Sequence, residues 1–248
     1  MNKVRVLNGN AIKIIAAVTM LIDHFGLIFF PYIAVFRIIG RLSFPLFAFM
    51  IAEGTRYTRN KVKYISVIAV LGAVCQIPVI IMNSDYHWNV LVTFALSIGV
   101  IYAIDFGKKA FFHKESNTTK KALAVALAIG APLILFVLSL WVPEFHYSYG
   151  FYGCMIAVFA ALPNTRCIES PPNWMVSIDK IPVRVALMAI PMVMYCITDG
   201  VWYQNFSFFA LIFLLLYSGK RGKWNMKYFF YIFYPAHLLV LYAIFALL

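Results

Sequence analysis

The sequence predicts an all-α, polytopic transmembrane helical bundle of about nine spans, and three observations carry that expectation. The 248 residues are 63% hydrophobic and only 12% charged, with a mean hydropathy of +0.85, far outside the range of water-soluble domains. Apolar windows of roughly 20 residues, the length that crosses the hydrocarbon, follow one another along the chain. The cations collect in alternate gaps between these windows, as they do where such gaps face the cytoplasm. With so much chain committed to spans, residues 1–248 are expected to form a single integral-membrane domain.

The first window covers residues 11–31. Basic residues precede it as in a signal peptide, but the apolar run continues through Phe30 with no small-x-small cleavage site behind it, so it is expected to persist as the first span. The second, 33–54, carries Arg37 and Arg41 one turn apart on one helix face. Pro45 lacks the backbone N–H that would bond the carbonyl of Arg41 and crowds that carbonyl, so a kink is expected there. Windows at 62–82, 89–106 and 121–141 follow, then a short one at 149–163, and finally 182–198, 201–217 and 227–247.

Charge orients these windows. All but two of the 21 basic residues lie in five places: Lys3, Arg5 and Lys13; Arg56, Arg59, Lys61 and Lys63; Lys108, Lys109, Lys114, Lys120 and Lys121; Arg166, Lys180 and Arg184; Lys220, Arg221, Lys223 and Lys227. The four intervening gaps have no Lys or Arg and hold Asp85, Glu144 and Asp199 instead. The alternation predicts a cytoplasmic N-terminus and an extracytoplasmic C-terminus, since one miscounted helix would mix the two classes. It also accounts for the net charge of +12 without a nucleic-acid partner, because basic inner loops meet an anionic leaflet. A narrower use remains open: "SGKRGKW" and "RYTRNKVK" are candidates for holding a phosphate-bearing cofactor.

Cys75, Cys154, Cys167 and Cys196 are scattered, form no CxxC pair and read as small packing residues. Five histidines without HxxxH or HExxH spacing point to no metal. There is no nucleophile elbow, Walker loop or convincing internal repeat.

What remains is a set of ionisable groups inside the spans, each costing on the order of 2.5–3.5 kcal/mol to insert: Asp23, His24, Arg37, Arg41, Glu53, Asp105 and His237, with Lys13 at the inner edge. At ~1.5 Å of rise per residue, His24, Arg41 and His237 lie about 15–20 Å from the inner ends of three helices, so three helices offer polar groups to one layer. Glu53, Asp105 and Lys13 belong near the inner surface, where snorkelling or pairing with basic loops satisfies them. Lys13 and His24 are eleven residues apart, three turns with about 20° of residual rotation, and share a helix face. A rim cation below a deep imidazole suits an anionic cofactor entering from the cytosol. The alternatives are that Lys13 only ends the span, that Asp23 and Arg41 neutralise each other as a buried pair, and that the histidines fix packing. Two machines use such a layer: a proton-coupled transporter or flippase relaying charge, or a transferase with a general base, an oxyanion-holding cation and a cytosolic cofactor door.

The blocks "MLIDHFG", "IGRLSFPLFAFMIAEGTRYTRN", "YGFYG", "LLLYSGKRGK" and "KYFFYIFYPAHLLVLY" resemble, in order, those of the TraX family of bacterial inner-membrane proteins, from about Asn8 to Leu241. The founding member of that family acetylates the N-terminus of pilin, and the family is similar to a smaller branch of the transmembrane acyltransferases, including the acyltransferase type 3 proteins. Those carry Arg/Lys-x10-His on their first catalytic helix, matched here by Lys13-x10-His24, and an arginine pair, matched here by Arg37-x3-Arg41 with one residue more than the usual RxxR. The resemblance implies acetyl transfer from acetyl-CoA to an amine or hydroxyl of an envelope or secreted acceptor in the bacterial inner membrane. His24 would be general base or be transiently acylated. Arg41 would hold the thioester oxygen, Asp23 would pair with Arg41 or brace His237, and Lys13, Arg37, Arg56 and Lys61 would hold the donor. The aromatic outer segments "YHWN" and "EFHYSYGFYG" would admit a peptide, sugar or lipid acceptor. No metal is implied. A non-enzymatic assembly factor for surface appendages is a third reading.

Overall fold

The computed structural model describes residues 6–82, 88–113, 116–141 and 147–247, the side chains of 78, 79, 81, 82 and 227 excepted. The outer-segment residues 86, 87 and 144–146, and the charged residues Lys3, Arg5, Asp85, Lys114 and Glu144, lie outside these. Among the described residues the chain is helical, without strands: α1 (Gly9–Phe29), α2 (Ala34–Gly40), α3 (Ser43–Tyr57), α4 (Lys61–Met82), α5 (Val90–Phe112), α6 (Thr118–Trp141), α7 (Gly150–Ala161), α8 (Asn173–Ile178), α9 (Ile181–Asp199), a 3-10 turn (Trp202–Phe208), α10 (Phe209–Leu215) and α11 (Lys227–Leu247). Six stretches among the described residues are long and apolar enough to cross a membrane: Gly9–Phe29, Ala34–Tyr57, Val90–Phe112, Thr118–Trp141, Ile181–Asp199 and Tyr228–Leu247. Gly150–Ala161 and Trp202–Leu215 are apolar but shorter, and α4 has 22 residues. The outward faces of α6 and α11 carry large apolar side chains such as Leu133, Leu140, Ile232 and Leu239, suited to lipid rather than water. The chain is an all-helical, multi-pass membrane protein.

Each of the nine apolar windows contains helix, and two are subdivided. The second breaks between α2 and α3 at Arg41 and Leu42, where Leu42 N–H donates to the Ile39 carbonyl at 3.3 Å in a tighter turn. Pro45 explains the break, since it has no N–H for the Arg41 carbonyl and sits in the first turn of α3, where a missing donor is tolerated. The eighth opens as the 3-10 turn before continuing into α10.

The chain divides into two compact units, Met1–Met50 with Met192–Leu248, and Ile51–Pro191, so that α3 and α9 each pass from one to the other. In the first unit, α1 and α2 form a tight hairpin. A Cβ on Gly26 would overlap the Phe36 side chain, and a Cβ on Gly40 would overlap the Asp23 carboxylate. Small residues at a crossing let backbones approach, the usual means by which helices associate in lipid. Asn8 caps α1, its side chain accepting from Ala11 N–H at 3.0 Å. Residues 217–222 close over the same end: Leu7 pairs with Tyr217, and Gly9 and Asn10 N–H donate to the Lys220 and Arg221 carbonyls at 2.7 and 3.1 Å. Gly222 makes this closure possible, with φ +96° and Asn8 and Asn10 side chains within about 3 Å of where a Cβ would stand.

The second unit is held by close helix contacts and buried polar pairs. Gly54 accommodates the Tyr64 hydroxyl and Gly107 accommodates Ala128. Thr93 donates to the Ser148 carbonyl at 2.6 Å, and Trp88 pairs with Tyr147. Residues 88 and 147 are from gaps assigned to the outer side, whereas residue 7 and residue 217, the last of the eighth window, stand at the side assigned as inner. Each bridge joins segments assigned to one side.

The α1–α2 contact generates a test. Gly40→Ala places a methyl where the Asp23 carboxylate stands, and overpacking of this kind costs about 1–3 kcal/mol. The thermal unfolding midpoint in detergent is expected to fall. Gly130→Ala on α6, where none of the described residues lies within 4 Å of the added methyl, is expected to leave it unchanged or raise it, because alanine is the better helix former. Equal midpoints for Gly40→Ala and wild type would contradict the close approach.

Candidate active site

The first unit gathers most of the ionisable residues singled out from the spans. Asp23 on α1 lies between two guanidiniums: Arg37 Nη1 donates to one carboxylate oxygen at 2.7 Å and Arg41 Nη2 to the other at 3.3 Å. Arg41 also donates from Nε to the Arg37 carbonyl at 3.4 Å and from Nη1 to Gln204 Oε1 at 3.3 Å, and its guanidinium lies 5.3 Å from the Tyr203 ring centre. Of the two partners expected for Asp23, Arg41 is the one it meets, and Arg37, placed by resemblance among the donor-binding cations, shares the same carboxylate. Asp23 is not directed at its neighbour His24, because adjacent helical residues point about 100° apart.

His24 meets His237 of α11. Nδ1 of His24 and Nε2 of His237 are 3.0 Å apart, with ring centres 5.0 Å apart. His237 is buried and His24 half-buried. Nδ1 of His237 lies 2.8 Å from the Phe233 carbonyl, the Phe233 ring stacks on the imidazole at 4.9 Å and 8°, and Tyr234 meets it edge-on at 5.8 Å. Arg37 and Arg41 are within electrostatic reach of His24. Lys13 faces the same helix as His24, with Nζ 5.6 Å from the Phe230 ring centre, and lies within electrostatic reach of Arg221.

Sequence reasoning missed Gln204 and Tyr203, because neither carries a charge. The signal available was a neutral amide inside an apolar window, where an unbonded polar group is expensive; Gln204 is buried and bonded to Arg41.

The other candidates belong to the second unit. Arg56 makes two bonds to Asp179, at 2.6 and 3.0 Å, and lies 3.8 Å from Glu53. Arg184, assigned from sequence to an inner loop, is buried, donating to Glu53 at 2.5 Å and to the Ala160 carbonyl at 2.7 Å. Glu53 is thus satisfied by pairing with two cations assigned to the basic loops, Arg184 and Arg56, rather than by snorkelling, and Arg184 meets it buried. Asp105 accepts from Asn164 at 3.0 Å, with Lys108 at 3.8 Å. Lys61 is exposed, its Nζ 5.0 Å from the Tyr102 ring centre. Among the described residues no group of three His, Cys, Asp or Glu is arranged to hold a metal.

Outside the spans, burial alone would raise the Asp179 carboxyl, but hydrogen bonds and charge from Arg56, with Thr165 N–H and O–H donors at 3.1 and 2.8 Å, hold it below the ordinary value of 3.8. A depressed carboxyl contributes stability that is complete above its unfolded value and is lost as pH falls through the lower folded one. Asp179→Asn is therefore expected to lower the unfolding midpoint at pH 7, through a loss of stability on the order of 3 kcal/mol if Arg56 stays buried, and to flatten the acid-side decline below about pH 4. An unchanged midpoint at pH 7 would contradict it. In the first unit, Asp23→Asn leaves two guanidiniums without their shared counter-charge. A loss of about 3–5 kcal/mol is expected, measured by chemical unfolding, and a loss under 1 kcal/mol would show that the pair is not desolvated.

The chain is 25% identical over 247 residues to the probable fimbrial assembly protein FimC, serogroup H1, of Dichelobacter nodosus, covering 93% of this chain and 92% of that one. It is 31% identical over 103 residues to an uncharacterized protein of Rickettsia prowazekii (strain Madrid E), covering 41% of this chain and 40% of that one. No solved structure matches it significantly. Residues 8–245 match the TraX protein family, a stretch that includes the Asp23 clamp and both imidazoles, and the chain belongs to that family.

Proposed function

We propose that the chain is a membrane-bound acetyltransferase of the bacterial cytoplasmic membrane, moving an acetyl group from acetyl-CoA to an amine or hydroxyl of an envelope or secreted acceptor. The observation that carries this reading is the His24–His237 contact beside the arginine pair. It unites a base, a second imidazole that orients it, and cations to oppose an oxyanion, the set that acyl transfer needs.

His24 takes the proton from the acceptor nitrogen or oxygen as that atom bonds to the acetyl carbonyl carbon. Arg41 and Arg37, two positive charges against the single negative charge of Asp23, leave a net positive field for the developing oxyanion. His24 then returns the proton to sulfur as the carbon–sulfur bond breaks, giving the acetylated acceptor and CoA thiol. Acetyl-CoA supplies the acetyl group and a thiolate leaving group. For its phosphates the best-fitting residues are Lys13 and Arg221, like charges brought within electrostatic reach of each other beside the 217–222 loop. Arg56 fits less well, since Asp179 already takes both of its terminal nitrogens.

The printed name of the Dichelobacter relative favours a second reading, assembly of surface fibres. The two are compatible where the acceptor is a fibre subunit, the pilin N-terminus being the family precedent; a purely non-enzymatic role is the competitor. For topology we propose nine spans with the N-terminus cytoplasmic and the C-terminus extracytoplasmic. The Leu7–Tyr217 and Trp88–Tyr147 bridges, and the Arg56–Asp179 pair, each join segments assigned to one side and support that alternation.

Purified protein is expected to hydrolyse or transfer the label of labelled acetyl-CoA and to be stabilised thermally by CoA. His24→Ala is expected to abolish turnover, by about 100-fold or more, while remaining folded in the membrane. Absence of both label turnover and CoA protection in wild type would sink the transferase reading. A C-terminal alkaline phosphatase fusion is expected to be active, and an inactive one would overturn the nine-span topology.

A further inference from the structure

We infer that His237 is a positioning residue for His24: its Nε2 lone pair, aimed by a backbone carbonyl on α11, favours the His24 tautomer that carries its hydrogen on Nδ1. The kinetic consequence rests on the acetyl-transfer reading, whereas the hydrogen-bond chain does not.

A carbonyl oxygen only accepts. Nδ1 of His237, 2.8 Å from the Phe233 carbonyl, therefore carries its hydrogen. In a neutral imidazole Nε2 is then the acceptor. It lies 3.0 Å from Nδ1 of His24, and two lone pairs do not bond, so Nδ1 of His24 donates. Its Nε2 is left as the basic nitrogen. The chain reads Phe233 carbonyl, His237, His24, and it fixes both rings by the logic that fixes a metal-ligating or triad histidine through the bond made by its other nitrogen.

Three further observations agree. The His237 ring is held in plane by the stacked Phe233 and the edge of Tyr234, so its Nε2 direction is defined. Pro235 removes the N–H that would bond the Tyr231 carbonyl, loosening α11 two residues before His237. His237 is buried and His24 half-buried, so the contact between the two rings lies away from water. The charged groups around the pair are Asp23 on α1, Arg37 on α2 and Arg41 in the break that follows it. Asp23 is bonded to both arginines, so the carboxylate that would ordinarily orient a catalytic imidazole is engaged elsewhere and a second imidazole takes its place.

Two substitutions separate positioning from packing. Gln at 237 keeps an oxygen that accepts from Nδ1–H of His24; Leu has none. A packing residue in an apolar layer would tolerate Leu at least as well as Gln. The positioning role requires the opposite order: His237→Leu lowering kcat 10–100-fold with KM changed less than about threefold, and His237→Gln recovering most of kcat. Leu equal to or better than Gln would overturn the inference. In parallel, the nitrogen-15 spectrum of histidine-labelled wild-type protein in nanodiscs, assigned with His24→Ala and His237→Gln, is expected to show both rings protonated at Nδ1 at neutral pH. A His24 protonated at Nε2 overturns the inference whatever the activity. If wild type fails to use acetyl-CoA while the spectrum shows the expected tautomers, the transferase reading falls and the relay stands.

Discussion

Asp23 holds two guanidiniums at once in a layer where each ion costs on the order of 2.5–3.5 kcal/mol to insert, and the arrangement of the first unit follows from satisfying them. Sharing one carboxylate between Arg37 and Arg41 needs α1 and α2 close enough for Asp23 to press on Gly40. It also needs the chain to break where Pro45 deprives the Arg41 carbonyl of its donor. The break ends α2 at Arg41, whose side chain reaches Gln204 and Tyr203 as well as Asp23. A regular helix through residues 34–57 would not supply that turn.

The clamp has a consequence for its neighbour. With Asp23 committed to the arginines, His24, about 100° further round α1, is left to another helix, and α11 provides His237. The cluster carries more positive than negative charge, so its field opposes an accumulating cation and favours a transient anion beside the imidazole. That polarity suits acyl transfer better than proton relay, in which acidic groups alternate with bases along a path. The buried network of the second unit differs in kind: Arg56, Asp179, Glu53 and Arg184 answer one another, as structural ion pairs do.

Much of this was legible in the sequence because membrane insertion makes charge conspicuous. Apolar windows mark the helices, and the depth of His24, Arg41 and His237 along them puts the three in one layer. Helical rotation aligned Lys13 with His24, and in the structure both Lys13 and His24 face α11. Depth does not give azimuth between helices, so the sequence left open whether Asp23 would meet Arg41 or His237 and did not join it to Arg37. Gln204 escaped because a neutral amide leaves no charge signature. Arg184 was read as a topology marker because a cation near a helix end looks the same whether it points to headgroups or turns inward to Glu53.

The central claim is that the Asp23 clamp holds α1 so that His24 hydrogen-bonds His237. Its most direct test is the scalar coupling between nitrogens across that hydrogen bond, measured by nuclear magnetic resonance on histidine-labelled protein in nanodiscs. A coupling between Nδ1 of His24 and Nε2 of His237 is expected in wild type, and its loss in a folded Asp23→Asn variant. No coupling in wild type, or a coupling unchanged by Asp23→Asn, would contradict it.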